Sequence, residues 1–401
     1  MTLSQFKILH TKTIVATILG LMGGAFVTIP SPASTAQTPS KQAQPIWVTA
    51  YYPVWRQQEK TFLPDKIDFT GFSHLIHFAV TPNADGTINN SAVKPNSVIT
   101  AADSAAILGP AHAAGRKVLL CVGGADTAPL FRAALSDAAR PRFIASLISM
   151  AVARGYDGLD IDMEPIRDAD APQYEAFIRQ LRAQMTAARP GLLLTAATAW
   201  EPTMFARLQG QFDQINLMTY DLSGPWAGFN TWYNASLHDS GGQLMPGGVP
   251  YTSADGTLRP FLLAGIAPQK LGIGIAFYGD VWTGTDGPKQ SIKGVTNSQV
   301  AYSEIMDQYY QPSLYHWDDQ AHAPYLSIAA PDPKNRKFIT YDDERLCAEK
   351  VTYARQRGLG GVIIWELGDG YRPNQPPGRQ NPLLQAVKAA WRDGGTKRSA
   401  R

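Results

Sequence analysis

Residues 157–164, Asp-Gly-Leu-Asp-Ile-Asp-Met-Glu, alternate acidic with apolar side chains. In an extended strand successive side chains point to opposite faces, so Asp160, Asp162 and Glu164 share one face. The apolar residues between them share the other face. The segment is therefore predicted to be a buried strand that carries a row of carboxyl groups.

A row of buried carboxyls needs a chemical explanation. Like charges this close cannot all be ionised near neutral pH, so the pKa of some of these groups is expected to lie above its usual range. Carboxyls tuned in this way suit general acid–base catalysis. A structural network of hydrogen-bonded buried acids is the alternative that these residues leave open. A calcium loop fits less well, because the segment lacks a central glycine and has bulky apolar residues between the acids.

Strand-like runs rich in Val, Ile and Leu alternate with helical patterns along the chain. Eight runs are predicted as strands: 46–51, 72–80, 117–122, 156–163, 192–199, 213–219, 271–277 and 361–365. Helices are predicted between them at 99–114, 136–154 and 171–188. This alternation indicates an α/β fold, a (β/α)8 TIM barrel over residues 46–392. Residues 280–340, between strands seven and eight, are predicted to form a small inserted α+β lobe that walls a cleft.

The first 36 residues carry two lysines, no acidic side chain and an apolar run over 14–29. With small residues up to Ala36, they predict a secretory signal peptide over 1–36, followed by a disordered linker over 37–45. The protein is therefore expected to be secreted or periplasmic. A retained membrane anchor is the alternative, although glycines within the apolar run disfavour a stable span.

Composition excludes several other functions. The formal net charge of the whole chain is +3, and loss of the signal peptide lysines leaves basic and acidic side chains almost equal in number, so no nucleic-acid or anionic-membrane partner is expected. Cys121 and Cys347 are too few for a disulfide framework and are predicted to be buried free thiols. The seven histidines form no ligand pair at helical spacing, so no metal ion or cofactor is expected. The polar, basic residues 393–401 predict a disordered tail.

Residues 157–164 resemble the signature of the family 18 glycoside hydrolases, the chitinase superfamily. Further motifs of that family recur in order: Ala50-Tyr51-Tyr52, Val122-Gly123-Gly124, Met218-Thr219-Tyr220-Asp221, Phe277-Tyr278-Gly279 and Trp365-Glu366. The resemblance covers residues 46–392. It implies a chitinase, a retaining glycosidase that hydrolyses β-1,4-linked N-acetylglucosamine polymers such as chitin. Catalysis would be substrate-assisted, through an oxazolinium intermediate.

The resemblance also implies catalytic roles. Glu164 would protonate the glycosidic oxygen and later act as a base toward water. Asp162 would hydrogen-bond the acetamido N–H and orient its carbonyl oxygen for attack on the anomeric carbon. Asp160 would share a proton with Asp162, and Tyr220 would donate to the acetamido oxygen.

Six residues are expected to bind substrate: Tyr51, Met218, Asp221, Tyr278, Trp365 and Trp226. Trp365 would form the apolar floor under the distorted sugar, Asp221 would bind the same sugar, and Tyr51 would support the buried acids. Trp226 belongs to a set of tryptophans near strand ends or in the insertion, of which about half are expected to stack on sugar rings. The others are Trp55, Trp200, Trp282 and Trp317.

Other activities share this pattern. An endo-β-N-acetylglucosaminidase or a hydrolase of peptidoglycan sugars would use the same chemistry, and a chitin-binding lectin could use the same barrel. The chain also departs from the family at Cys121, where many relatives have serine, and at Asp280, where arginine is usual. The only partner implied is chitin or another N-acetylglucosamine-containing polysaccharide, and a monomer is expected.

Overall fold

The computed structural model describes residues 45–89 and 98–396. The predicted signal peptide, all but the last residue of the predicted linker and residues 397–401 of the predicted tail lie outside the described residues. The strands and helices below are those of the described part of the chain.

The strands are, in chain order, β1 (Trp47–Pro53), β2 (His74–Pro82), β3 (Ile88–Asn89), β4 (Lys117–Gly124), β5 (Gly158–Met163), β6 (Leu193–Thr198), β7 (Gln214–Leu217), β8 (Leu271–Ala276), β9 (Tyr278–Thr283), β10 (Thr296–Ala301), β11 (Tyr315–Asp318), β12 (Ala323–Ile328), β13 (Lys337–Tyr341) and β14 (Gly361–Trp365). The helices are α1 (Val54–Gln58), α2 (Ala101–Ala113), α3 (Ala128–Ala134), α4 (Arg140–Arg154), α5 (Ala171–Ala188), α6 (Pro202–Leu208), α7 (Ala254–Leu263), α8 (Tyr302–Gln308), α9 (Glu344–Gln356) and α10 (Pro382–Thr396).

Eight parallel strands form a closed barrel in the order β1-β14-β8-β7-β6-β5-β4-β2, and pairing of β2 with β1 closes the ring. Every strand predicted from the sequence overlaps one of these eight. The prediction of a (β/α)8 TIM barrel is therefore confirmed. All eight strands run in the same direction, so the residues at their carboxyl ends meet at one face of the barrel.

Helix α4 illustrates how local sequence determines these elements. Its buried apolar side chains recur at intervals of three and four residues and form one stripe toward the sheet: Phe143, Ile144, Leu147, Ile148 and Ala151. Gly155 ends the helix with a φ of 84°, a left-handed conformation that glycine adopts without steric cost. The chain then enters β5 after two further residues, which carries the acidic row directly into the barrel.

The insertion between β8 and β14 is built on an antiparallel sheet in the order β10-β9-β13-β12-β11, with α8 between β10 and β11. Trp232, Trp282 and Phe338 are fully buried in its core. The sheet spans 278–341, slightly more than the predicted 280–340, because β9 follows β8 after the single residue Phe277. The barrel strand thus leads straight into the lobe.

The carboxyl-terminal helix extends into the predicted tail. Helix α10 runs to Thr396, so residues 393–396 are helical, although they were predicted to belong to a disordered tail. The helix is anchored near this end, since the indole N–H of Trp391 donates to the carbonyl of Ile46 at 2.8 Å and Arg355 donates to the carbonyl of Trp391 at 3.1 Å. Among the described helices, none combines the length and apolar character that crossing a membrane requires.

A buried ion pair links α9 to the barrel. The ammonium group of Lys350 binds Asp342 Oδ2, which also accepts the backbone N–H of Ala276 at 3.1 Å, and both charged side chains are buried. We predict that Lys350→Met lowers the free energy of unfolding by about 3–5 kcal/mol at pH 8, because a buried carboxylate then lacks its counter-ion. Urea denaturation measures the loss.

The control for this prediction removes the Asp342 carboxylate that Lys350→Met leaves without a counter-ion. In Lys350→Met/Asp342→Asn no carboxylate remains, so the double variant should recover part of the lost stability. Burial raises the pKa of Asp342 to about 6 even beside the lysine, so the single variant should lose less stability at pH 5 than at pH 8. An equal loss at both pH values would contradict this explanation.

Candidate active site

The acidic row lies where the sequence predicts. Every residue of β5 is buried. The apolar side chains Leu159, Ile161 and Met163 belong to the main hydrophobic core together with residues of the surrounding helices. Asp160 and Asp162, on the opposite face, are also buried, and Glu164 follows directly after the strand. The row therefore reaches the carboxyl-end face of the barrel.

Asp160 is the innermost acid and is fully hydrogen-bonded. The Tyr51 hydroxyl donates to Oδ2 at 2.9 Å and the Thr195 hydroxyl donates to Oδ1. The thiol of Cys121, which is opposite Asp160 in the β4–β5 register, is a third hydrogen-bond partner. Burial raises the pKa of Asp160, and these hydrogen bonds oppose the rise. Cys121 and Cys347 are both buried free thiols, as predicted.

Asp162 and Glu164 form a hydrogen-bonded carboxyl pair. Burial raises the pKa of Asp162 well above its usual range, and the negative charges of Glu164 and Asp160 add to the rise. Oδ1 of Asp162 is buried and has no hydrogen-bond partner. Asp160 raises the pKa of Asp162 through its charge, and Asp162 is also hydrogen-bonded to Glu164. Proton sharing between Asp160 and Asp162 stays a prediction.

Burial raises the pKa of Glu164 to about 7. The hydrogen bond from Asp162 opposes this rise, whereas the charges of Asp221 and Asp126 increase it. Glu164, at the rim of the barrel, is therefore protonated at mildly acidic pH and about half protonated near pH 7. A carboxyl in that state can act as a general acid.

Tyr220 faces the same carboxyls from the segment after β7. Burial raises the pKa of its hydroxyl well above the usual value, and the charges of Asp162 and Glu164 add to the rise, so this group remains a proton donor. Gly274 in β8 provides the space for the ring, because a Cβ atom there would lie 2.7 Å from Tyr220. Tyr278 packs edge-to-face on Tyr220 with 6.1 Å between ring centroids.

Asp221 is held in place by three neighbours. Its backbone has a φ of 54°, and its N–H donates to Asn234 Oδ1 at 3.0 Å. The Tyr278 hydroxyl and the Gln299 side-chain amide donate to Oδ1 at 2.6 and 2.7 Å. Since both donors bind Oδ1, Oδ2 of this exposed carboxyl is left as an acceptor for a ligand.

Three of the residues around these acids were missed by the sequence reasoning: Thr195, Asn234 and Gln299. Thr195 had a usable signal, since it is an inward-facing polar residue in the apolar strand β6 and is opposite Asp160 in the register. Gln299 comes from β10 of the lobe, and Asn234 comes from the long segment before α7. Neither has a local pattern that identifies it.

Aromatic side chains line the barrel beside the acids. Trp365, at the end of β14, contacts Tyr51 with 5.5 Å between ring centroids and Phe78 with 4.8 Å. Trp55 packs edge-to-face on Phe78, with 5.7 Å between ring centroids. Met218 is half-buried against the same group. We call Tyr51, Phe78, Trp55 and Trp365 the inner aromatic cluster.

The other four tryptophans that the sequence suggested as sugar platforms differ in exposure. Trp226 and Trp200 have exposed fractions of 46% and 41%, and the ring contact of Trp226 is with Phe229 at 5.0 Å. Trp282 is fully buried in the lobe and serves packing. The guanidinium of Arg345 stacks over half-buried Trp317 at 3.6 Å, so that face is already occupied. Trp226 and Trp200 therefore keep faces that a sugar can reach.

Asp280 is a buried carboxyl in β9 whose pKa is raised to about 8 by burial and by the charge of Asp221. The folded protein holds this proton up to that pH, whereas the unfolded chain releases it near 3.8. Stability therefore falls as pH rises through this window, by up to about 1.4 kcal/mol per pH unit. We predict that Asp280→Asn removes this dependence and is the more stable protein at pH 8.

Urea denaturation at pH 5 and pH 8 measures the effect as the difference between variant and wild type. The exposed Asp65 supplies the control, since Asp65→Asn should leave the pH dependence of the wild type unchanged. A stability difference between Asp280→Asn and wild type that does not grow from pH 5 to pH 8 would contradict the prediction.

The sequence is similar to known glycosidases. Residues 48–370 match the family described as glycosyl hydrolases family 18. A probable endochitinase of Caenorhabditis elegans is 31% identical over 279 residues, which cover 63% of this chain and 43% of the relative, so the match spans less than half of that protein. Chitinase 1 of Aphanocladium album is 26% identical over 373 residues, covering 85% of this chain and 86% of the relative.

The fold is also similar to solved structures. The Ostrinia furnacalis Group IV chitinase in complex with allosamidin superimposes with a TM-score of 0.72 at 22% identity, covering 87% of this chain and 99% of the other. At that identity the likeness concerns the fold. The match over residues 48–370 extends across most of the barrel and its acidic row, and it shows that this chain belongs to the family 18 glycosyl hydrolases.

Proposed function

We propose that this chain is a secreted chitinase, a retaining glycosidase that hydrolyses β-1,4-linked N-acetylglucosamine polymers by substrate-assisted catalysis. One observation carries the proposal: buried Asp162 and half-buried Glu164 form a carboxyl pair beside the donor Tyr220, at the face of the barrel where (β/α)8 enzymes act. The names of the similar chitinases support the substrate class.

The proton chemistry follows from Glu164. With a pKa of about 7, this side chain is protonated at mildly acidic pH and can protonate the glycosidic oxygen as the bond breaks. The carboxylate that remains can then accept a proton from the attacking water. One residue therefore serves both half-reactions, as microscopic reversibility requires.

The nucleophile in this mechanism comes from the substrate. The buried Oδ1 of Asp162 has no partner and can accept the acetamido N–H, while the Tyr220 hydroxyl can donate to the acetamido carbonyl oxygen. These two contacts direct the carbonyl oxygen at the anomeric carbon. Its attack breaks the glycosidic bond and gives an oxazolinium ion. Water then opens this ring from the opposite face, so two inversions give net retention.

Binding of the sugar rings falls to the inner aromatic cluster and to Asp221. Trp365 offers an apolar face backed by Tyr51 and Phe78, and such faces stack on the C–H bonds of sugars. Asp221 offers an exposed carboxylate that Tyr278 and Gln299 hold in place, suited to a sugar hydroxyl. The substrate would thus lie between an apolar floor and a polar wall.

Export and assembly are part of the same proposal. The lysines, apolar run and small residues of segment 1–36 support secretion with cleavage after Ala36. Amino-terminal sequencing of the protein recovered outside the producing cell, together with its mass in solution, tests this proposal. Mature protein that begins near residue 37 and behaves as a monomer is expected, and full-length protein retained in the membrane would contradict it.

The test of function compares products on three substrates: chitin with its oligosaccharides, an N-glycosylated protein, and peptidoglycan. We expect soluble N-acetylglucosamine oligomers from chitin, with the β-anomer formed first when cleavage is followed by NMR. Release of glycans from the glycoprotein alone would favour an endo-β-N-acetylglucosaminidase, and release of muropeptides alone a peptidoglycan hydrolase. Sugar binding without any turnover would favour a lectin, and initial formation of the α-anomer would exclude retention.

A further inference from the structure

A cluster of buried and partly buried charges lies beside the inner aromatic cluster and takes no part in the proposed chemistry. It consists of Arg56 in α1, Glu366 directly after β14, and Asp369 in the turn that follows. Arg56 Nε donates to Glu366 Oε1 at 2.7 Å, and Nη2 lies 2.6 Å from the same oxygen. Nη2 also binds Asp369 Oδ1. We call these three side chains the Arg56 cluster.

The contacts fix Glu366 from both sides. Its Oε1 accepts the guanidinium, and its Oε2 accepts the backbone N–H of Gly368 at 2.8 Å. Gly368 leaves the space that the arginine needs, because a Cβ atom there would lie 2.8 Å from Arg56 Nε. Glu366 is 1% exposed, so its carboxylate depends on these partners for solvation.

The cluster adjoins the aromatic floor through two pairs of chain neighbours. Glu366 follows Trp365, and Arg56 follows Trp55. Both tryptophans pack on Phe78, with ring centroids 4.8 and 5.7 Å away. The ion pair thus joins two segments, each one residue beyond an indole that contacts Phe78. Movement of either segment would move an indole of the floor.

We propose that Arg56 is a positioning residue for the sugar-binding floor: by holding Glu366, it fixes the Trp365 indole against Tyr51 and Phe78. This inference rests on the proposed function, since it assigns Trp365 to the floor of the substrate site. Asp369 completes the cluster as a second acceptor on the same guanidinium. An arginine is required because a planar guanidinium can bind two carboxyl groups at once, whereas a lysine offers a single point charge.

The test is Arg56→Met, matched by Arg182→Met. Arg182 has a similar exposed fraction, 20% against 22%, and it also binds a carboxylate, Asp213 at 2.6 Å. It donates to the carbonyls of Gln211 and Leu192, at the amino ends of β7 and β6 and therefore on the face opposite the site. Both variants lose a partly buried ion pair, but only one of these pairs adjoins the floor.

We expect Arg56→Met to lower kcat/KM on chitooligosaccharides by about tenfold when assayed well below its unfolding temperature, since small displacements in a site cost large factors in rate. Arg182→Met should retain the kcat/KM of the wild type under the same conditions. Arg56→Lys, which keeps the charge, should fall between Arg56→Met and the wild type and serves if Arg56→Met does not fold. Equal kcat/KM for the wild type and a folded Arg56 variant would overturn the proposal.

Two further readouts separate positioning from general stability. Glu366→Gln should lower kcat/KM as well, and the double variant with Arg56→Met should be no worse than the poorer single variant, because the two side chains act as one unit. Near-ultraviolet circular dichroism should change on Arg56→Met in the wild type, and the change should be smaller in a Trp365→Phe background, where only Trp55 can respond. A change of equal size in the two backgrounds would overturn the role assigned to Trp365.

The spectroscopic test does not depend on turnover. If the wild type cleaves none of the three substrates, the proposed function fails, yet the dichroism comparison still decides whether Arg56 positions Trp365. If the wild type is active and Arg56→Met loses no more activity than Arg182→Met, the positioning role fails while the function stands.

Discussion

Replacement of Glu164 by glutamine should lower kcat on chitooligosaccharides by about 10³-fold, within the range that a positioned general acid contributes. The amide has nearly the same shape and occupies the same place at the rim of the barrel, but it cannot donate an acidic proton to the leaving oxygen. Binding should therefore persist while turnover is lost. Calorimetric titration with an oligosaccharide and steady-state kinetics separate the two effects.

A matched control for this variant is Glu304→Gln, which makes the same chemical change on the exposed surface of α8. It should keep the kcat and KM of the wild type. Unchanged turnover in Glu164→Gln would remove Glu164 from the mechanism and, with it, the assignment of the acidic row. Loss of binding together with turnover would indicate a structural role instead.

The pH profile of the wild type gives an independent check on the same group. A general acid works only while protonated, and the pKa of Glu164 is raised to about 7, so kcat should fall as pH rises through about 7. A carboxyl of ordinary pKa would have lost its proton several pH units lower. A kcat that stays constant from pH 5 to pH 9 would contradict this assignment.

The periodicity of the sequence was sufficient to predict the barrel and the face that carries chemistry. Strands buried on both sides appear as short apolar runs, so their positions could be found without knowledge of their partners. The acids at 160, 162 and 164 were readable for the same reason, since a period of two fixes which face each side chain occupies. Local sequence was therefore enough to predict the face of β5 on which the three acids lie.

Contacts between distant segments could not be predicted in this way. Thr195 reaches Asp160 only because β5 and β6 pair in a particular register, and Gln299 reaches Asp221 only because the lobe folds back over the barrel. The hydrogen bond between Asp162 and Glu164 depends on how the two side chains are directed at the end of β5, which an alternating pattern does not specify. Trp282 resembled a platform for sugars because it lies near a strand end, but the lobe buries it.

The Asp162→Asn variant tests whether the substrate supplies the nucleophile, and it calls for a control at another aspartate. Asp137→Asn serves, because that side chain is 84% exposed and pairs only with Arg140 in the described contacts. It should retain full activity. If Asp137→Asn also has a lower kcat, that decrease measures the general effect of an Asp-to-Asn change on folding and preparation.

Asp162→Asn itself should lower kcat by about 10²-fold, because a misoriented acetamido group no longer lies in line with the anomeric carbon. The amide has no acidic proton to give up, so it cannot become the carboxylate that would balance the positive charge as it develops on the oxazolinium ring. A stable thiazoline analogue of that ring should accordingly inhibit the wild type and bind the variant about 10²-fold more weakly, since an analogue of a high-energy state depends on the same contact.

Normal hydrolysis by Asp162→Asn with unchanged thiazoline inhibition would mean that the carboxylate neither orients the acetamido group nor stabilises the ring. The nucleophile would then have to be water or another carboxyl, and with Asp160 fully engaged by Tyr51, Thr195 and Cys121, a direct attack by water would be the remaining route.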